Sequence, residues 1–239
     1  IVGHNLLDGI KADDLGVFRP LWLILHQNGT IQLTPDVALN IAYPLIPWIG
    51  VVAVGYAFGD ILRLEMVQRR RTMLLLGLGM TIAFFALRGA NGYGDPNPWT
   101  SRDTPLRTAF SFFNCQKYPP SLDFLLMTLG PALILLSVLD RGVGPRAIAH
   151  PVITIGRVPL FYFILQWYVI HGLAIVIAKA RGLDPSWLYV PDVPAPPNAQ
   201  FSMPIVYLLW VVVMLILYVP CRWFAGLKAR RKDVWLSYF

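Results

Sequence analysis

Residues 122–139 read LDFLLMTLGPALILLSVL. The only charged side chain in the run is Asp123, at its second position. At about 1.5 Å per residue in a helix, a run of this length approaches the roughly 30 Å hydrocarbon thickness of a bilayer. The stretch therefore reads as a membrane span, and the rest of the chain is best understood outward from it.

Four further runs have the same character: 41–62, 72–88, 153–178 and 204–225. With 122–139 they make about five complete transmembrane helices. The segment 17–26 (VFRPLWLILH) is apolar but too short to cross, and reads as an interfacial or re-entrant piece. The fold class is thus an all-α integral membrane protein, a bundle with long extracytoplasmic loops, in one transmembrane domain over residues 1–239. Because 41–62 has to enter from outside, Ile1 to Gly3 read as the outer end of a preceding span.

Composition agrees. Of 239 residues, 56% are hydrophobic and 14% charged, against about 25% charged in soluble domains. The net charge of +7 comes from placement. Loops 63–72, 140–152 and 222–232 carry eleven Lys and Arg in 34 residues, whereas segments 1–40, 88–121 and 179–203 carry eight in 99. This roughly fourfold difference alternates loop by loop, so the basic loops and the C-terminus read as cytoplasmic. Membrane lipid is thereby the expected partner of the basic charge, and nucleic acid is excluded. Trp48, Trp99, Trp167, Trp187, Trp210, Trp223 and Trp235 lie mostly near the expected interfaces. Gly55 and Gly59, four apart, fit a close helix crossing.

Cys115 and Cys221 have neither disulfide-framework nor zinc-site spacing, so no metal is expected. Walker A, G-x-S-x-G and H-E-x-x-H patterns are absent. The opening IVG resembles the mature start of trypsin-like proteases, but no triad follows it. Ionisable groups at or near membrane depth are the remaining candidates. In HNLLDGI (4–10), His4 and Asp8 stand i and i+4 if the stretch is helical, the pairing a general base requires, with Asn5 beside them; capping of a helix end explains the same residues. Tyr43, with Pro44 and Pro47, opens 41–62 with a broken turn that suits a cavity wall. In KYPPS (117–121), the prolines and Ser121 read as the turn into the next helix. Lys117 either meets an anionic group or snorkels. Arg157, one turn inside 153–178, either binds phosphates or snorkels, and His171 reads as an interhelical hydrogen-bonder or a site residue.

Taken together, HNLLDGI (4–10), YPLIPWIGVVAVGY (43–56), KYPPSLDFLLMTLGPALILL (117–136), GRVPLFYFILQWYVIH (156–171) and WLSY (235–238) resemble the bacterial relatives of heparan-alpha-glucosaminide N-acetyltransferase. The resemblance covers the chain in order and implies that it is the C-terminal portion of such a transmembrane acyltransferase, with the principal catalytic His upstream. Gln166 departs from the His common in that family. The resemblance implies an acetyl-CoA or other acyl-CoA donor and an extracytoplasmic saccharide acceptor. It casts His4 and Asp8 as catalytic, Asn5, Tyr43, Lys117, Tyr118 and His171 as acceptor-binding, and Arg157 as donor-binding. A bacterial inner membrane and a homo-oligomer or larger membrane complex are the accompanying expectations. A lipid-linked sugar transporter and a non-catalytic membrane subunit are the competing readings.

Overall fold

The computed structural model describes residues 2–142, 146–190, 193–231, 233 and 236, with the side chains of 146–149 left aside. Ile1, Lys232, Trp235 and the rest of 235–238 other than Leu236 lie outside the described residues, as does the Arg146 side chain. Val2 and Gly3 form a turn rather than a helix end.

Among the described residues, five helices are long and apolar enough to cross a membrane. The protein is an all-α integral membrane protein, and its helices sort into two compact units, Ile1–Gly142 and Val143–Phe239.

The first unit opens with a 3-10 turn, His4–Leu7, and a short helix α1, Arg19–Leu25. An antiparallel hairpin follows, β1 (Gly29–Thr34) and β2 (Val37–Ile41). The expected span at 41–62 therefore starts late. Ile41 pairs with Gly29, and Pro44 is extended, which delays helix α2 to Leu45–Leu62. Helix α3 spans Met66–Ala90, longer at both ends than expected from 72–88. Helix α4 (Pro105–Phe113) is capped by the Thr104 side chain. Helix α5 spans Leu122–Leu139, as its sequence indicates.

Helices α3 and α5 run antiparallel and are fastened at both ends. At one end Arg69 grips Asp140 in a bidentate pair at 2.8–3.1 Å, and Arg70 donates to the Ser137 carbonyl at 2.9 Å. Two of the arginines that mark loop orientation in the sequence are thus engaged by protein. The close approach lies at Gly77 and Gly130; at Gly55 and Gly59 a Cβ would meet nothing within 4 Å among the described residues. A Cβ on Gly77 would stand 2.8 Å from both the Gly130 carbonyl and the Ile134 nitrogen. Gly77→Ala is therefore expected to destabilise the pairing by about 1–3 kcal/mol through overpacking. Gly55→Ala should change nothing, and thermal unfolding of the two variants in detergent checks the contrast.

The second unit contains α6 (Arg146–Gly156), α7 (Pro159–Ala180) and α8 (Met203–Arg230). The expected single helix over 153–178 is broken before Pro159, which has no N–H to continue the ladder and disfavours helical backbone at Val158 (φ −135°, ψ 52°). The core of this unit is Val158, Cys221, Phe224 and Leu236, with Phe161 stacked on Phe224 at 4.3 Å.

Candidate functional site

The first cluster is built where α1 ends. His26 follows the last residue of α1 and is turned inward, 3% exposed, with its backbone N–H bonded to Trp22. Its Nε2 stands 3.3 Å from Asp8 Oδ1. An ionised carboxylate only accepts, so this nitrogen carries the proton and Nδ1 keeps the basic lone pair. Nδ1 is buried and meets no hydrogen-bond partner among the described residues.

Asp8 is thus the partner of His26, on a 3-10 turn rather than the helix that would have aligned His4 with Asp8. His4 packs edge-on against the His26 ring at 5.5 Å, and Trp22 lies 4.9 Å from that ring on its own account. Asn5 joins the group to α5: its Nδ2 donates to Asp8 Oδ2 at 2.8 Å, and its Oδ1 accepts from the Leu122 N–H at 3.0 Å. That N–H is one of the first of α5 and would otherwise lack an intrahelical acceptor. Asp8, Lys11, His26, Gln27, Gln116 and Pro119 line a cavity of about 110 Å3, room for a small polar group. Burial pushes the His26 imidazole below its usual 6.5, with the Asp8 carboxylate opposing that drop, so the ring is neutral at neutral pH.

Two features read separately from the sequence, Tyr43 and the Lys117–Tyr118 pair, come together in the fold. Lys117 Nζ lies 4.9 Å from the Tyr118 ring centre, Tyr118 meets Tyr43 edge-on at 5.3 Å, and Tyr43 meets Trp48 at 5.5 Å. Lys117, Tyr43 and Tyr118 are exposed. The hydrogen bond from Lys117 lowers the Tyr118 phenol and raises the lysine, while Tyr118 raises Tyr43. Such a strip of ring faces and a cation suits the C–H faces and hydroxyls of a polar ligand. Ser121 caps α5, accepting from the Phe124 N–H at 3.1 Å.

Beneath this surface is a network around Arg88, which is 2% exposed. Its guanidinium donates to the carbonyls of Phe112 (2.8 Å), Asn97 (3.0 Å), Asn114 (3.1 Å) and Ser111 (3.3 Å). Asp95 and Asp123 each stand 3.8 Å from Nη1. Asp95 accepts from the N–H groups of Asn97 and Gln116 and from the Ser121 hydroxyl. Gly94, at φ +104°, passes so close to Asp123 that a Cβ there would lie 2.4 Å from Oδ1. Burial pushes the neighbouring Cys115 thiol up to about 11, which keeps it protonated and poor as a nucleophile.

In the second unit, Arg157 lies in the break between α6 and α7 rather than within a helix; it is exposed, and its carbonyl accepts from Lys228 at 3.3 Å. His171 is exposed on α7, with Nδ1 3.0 Å from the Trp167 carbonyl of its own helix. Among the described residues, no three His, Cys, Asp or Glu side chains are placed to hold a metal ion.

Sequence reasoning passed over two features. His26 sat inside a segment read only for its apolar length, although a His in such a segment is itself a signal. Arg88 was counted with the loop charges, although an Arg in the last turn of one span and an Asp in the first turn of another are opposite charges at the same depth. No protein-family model matches this chain, and no match to it is found among curated proteins or solved structures.

Proposed function

We propose that this chain is part of a membrane-bound acyltransferase that moves an acyl group from an acyl-CoA to an amine or hydroxyl of an extracytoplasmic sugar. In this reading it lies in a bacterial inner membrane with its C-terminus cytoplasmic, as the charge of its loops suggests. The observation that carries the reading is the buried His26 paired with the half-buried Asp8 on the wall of a small polar cavity.

Acyl transfer needs a group that takes a proton from the acceptor as its nitrogen or oxygen attacks the thioester carbonyl. The carbon–sulfur bond then breaks, and the coenzyme A thiolate leaves and is reprotonated. A neutral His26 supplies that group. The acceptor proton goes to Nδ1, and Asp8 stabilises the resulting cation through Nε2–H. Nδ1 is buried in the resting structure, so the side chains packed on the ring, His4 and Trp22, have to part for an acceptor to reach it while Nε2–H stays on Asp8. Lys11 and Gln116 offer donors at the same cavity. Tyr43, Lys117 and Tyr118 form the surface on which a saccharide would lie, and Arg157 is the residue assigned to the donor's phosphates.

The test is transfer of label from radiolabelled acetyl-CoA to a panel of amino sugars by the full-length parent protein in proteoliposomes, compared with empty vesicles. Transfer to any of them supports the reading, and none with any acceptor overturns it. Where transfer occurs, the acidic limb of its pH profile should lie below pH 6.5, because burial depresses the pKa of the base. Asp8→Asn removes the carboxylate that raises this pKa, so the limb should move further toward acid while the maximal rate falls. A limb that moves toward alkali in that variant would mean another group is titrating.

A further inference from the structure

Helix α4 is amphipathic in the wrong sense for a segment lying in water. Two of its polar side chains bond to the preceding loop: Thr108 Oγ1 accepts from the Arg102 N–H at 2.9 Å, and Ser111 Oγ accepts from the Thr100 N–H at 2.9 Å, while Arg107 is exposed. Its apolar side chains face out. Leu106, Phe110 and Phe113 are 63%, 65% and 48% exposed. Spaced i, i+4 and i+7, they form one continuous stripe on a helix. Turning a helix of this composition outward into water would sacrifice the burial of three large side chains.

The position of the helix says what the stripe meets. The carbonyls of Ser111, Phe112 and Asn114, at the end of α4, are held by Arg88 in the last turn of α3. Helix α3 is a membrane-spanning helix ending at Ala90, so this attachment fixes α4 at the depth where hydrocarbon gives way to headgroups. The apolar surface is also continuous. Phe85, one turn earlier on α3 and 52% exposed, stacks with Phe112 at 6.1 Å and meets Phe113 edge-on at 6.4 Å. The lipid-facing side of α3 thus runs onto α4 without a polar interruption. Arg102, just before α4, and Arg107, in its first turn, are both exposed and stand where phospholipid phosphates would lie; Arg107 also donates to the exposed Asp103 carboxylate at 3.0 Å, a pair that a phosphate would have to share.

We propose that α4 is an interfacial helix. Its Leu106–Phe110–Phe113 stripe is inserted among the lipids of the leaflet at the Ala90 end of α3, and Arg102 and Arg107 rest on the phosphates. The 91–121 connection is then a strap lying on the membrane, and it presents the Lys117–Ser121 turn at headgroup level. An acceptor reaching that turn would approach along the bilayer surface.

The test uses spin labels placed singly at positions 106, 110 and 113 (Leu106→Cys, Phe110→Cys, Phe113→Cys) with Cys115→Ala and Cys221→Ala as background. The protein is reconstituted in phosphatidylcholine nanodiscs. Collision with oxygen, which partitions into lipid, is compared with collision with a water-soluble nickel chelate. Labels at Val52 on α2 and at Asp36 between β1 and β2 supply the lipid-facing and water-facing references. Protection of the α4 amides from hydrogen exchange in each labelled protein reports that the helix is folded in place. At the three stripe positions the oxygen-to-nickel ratio is expected to exceed that at Asp36 at least fivefold. A ratio like that at Asp36 would place α4 in water and overturn the proposal. Exclusion of both reagents would show that protein covers the stripe, from another segment or a second copy, and would overturn it equally.

Discussion

Replacing Arg88 by Ala should unfold the 91–121 connection and destabilise the Ile1–Gly142 unit by about 3–5 kcal/mol. The reason is the number of groups left behind. Four carbonyls lose their donor, and the carboxylates of Asp95 and Asp123, each 3.8 Å from the guanidinium, lose their countercharge while still buried. Asp95 keeps three other donors. Asp123 Oδ1 has no hydrogen-bond partner among the described residues, so the desolvation cost falls most heavily there. Arg88→Lys tests the fork separately, because an ammonium supplies charge but not a planar set of donors reaching several carbonyls at once. It should recover part of the loss and leave the end of α4 unprotected. Hydrogen exchange over 91–121, read beside the thermal midpoint, distinguishes the outcomes. Unchanged protection in Arg88→Ala would mean that the aromatic contacts of Phe84, Phe85, Phe112 and Phe113 hold the connection without it.

The second large effect is chemical. His26→Gln should lower acyl transfer by about 10²–10⁴-fold, the range associated with loss of a positioned proton acceptor. Glutamine retains an N–H that can reach Asp8 and a similar volume, but it cannot take up a proton near neutral pH. The thermal midpoint should therefore fall little while turnover collapses. His26→Ala, by contrast, should lose both, because it opens a void between Trp22 and His4 and leaves Asp8 without that partner. Turnover in His26→Gln within twofold of the parent would show that the pair is architectural. The joined loss in His26→Ala alone could not make that distinction, so the two substitutions belong in one experiment.

The membrane-spanning architecture was legible because lipid demands long apolar runs, and the run at 122–139 is bounded by residues that say where it ends. Ser121 caps its first turn, and Asp140 lies just past its last residue. Boundaries blurred where the sequence is locally ambiguous. Apolar residues 41–44 suit a strand end as well as a helix start, and the hairpin partner that decides between them lies twelve residues back, at Gly29 opposite Ile41. Pro159 was legible as a break in hydrogen bonding, but not the full interruption that leaves Arg157 outside both helices. The candidate site was half legible. His4, Asn5 and Asp8 could be grouped because they are neighbours in the chain. Joining Asp8 to His26, or Arg88 to both Asp95 and Asp123, depends on tertiary contacts that no local period records.

The way Arg88 is satisfied also bears on how the protein is made. A nascent chain emerges N-terminus first, so α3 reaches the translocon with this guanidinium at its trailing end, before Asp95, Phe112 and Asp123 have been synthesised. Until the 91–121 connection emerges, the cation has only water and lipid phosphate as partners. The connection then brings Asp95 and the carbonyls of Asn97, Ser111, Phe112 and Asn114, and α5 follows with Asp123. One residue thus gathers first the connection and then the finished helix pair.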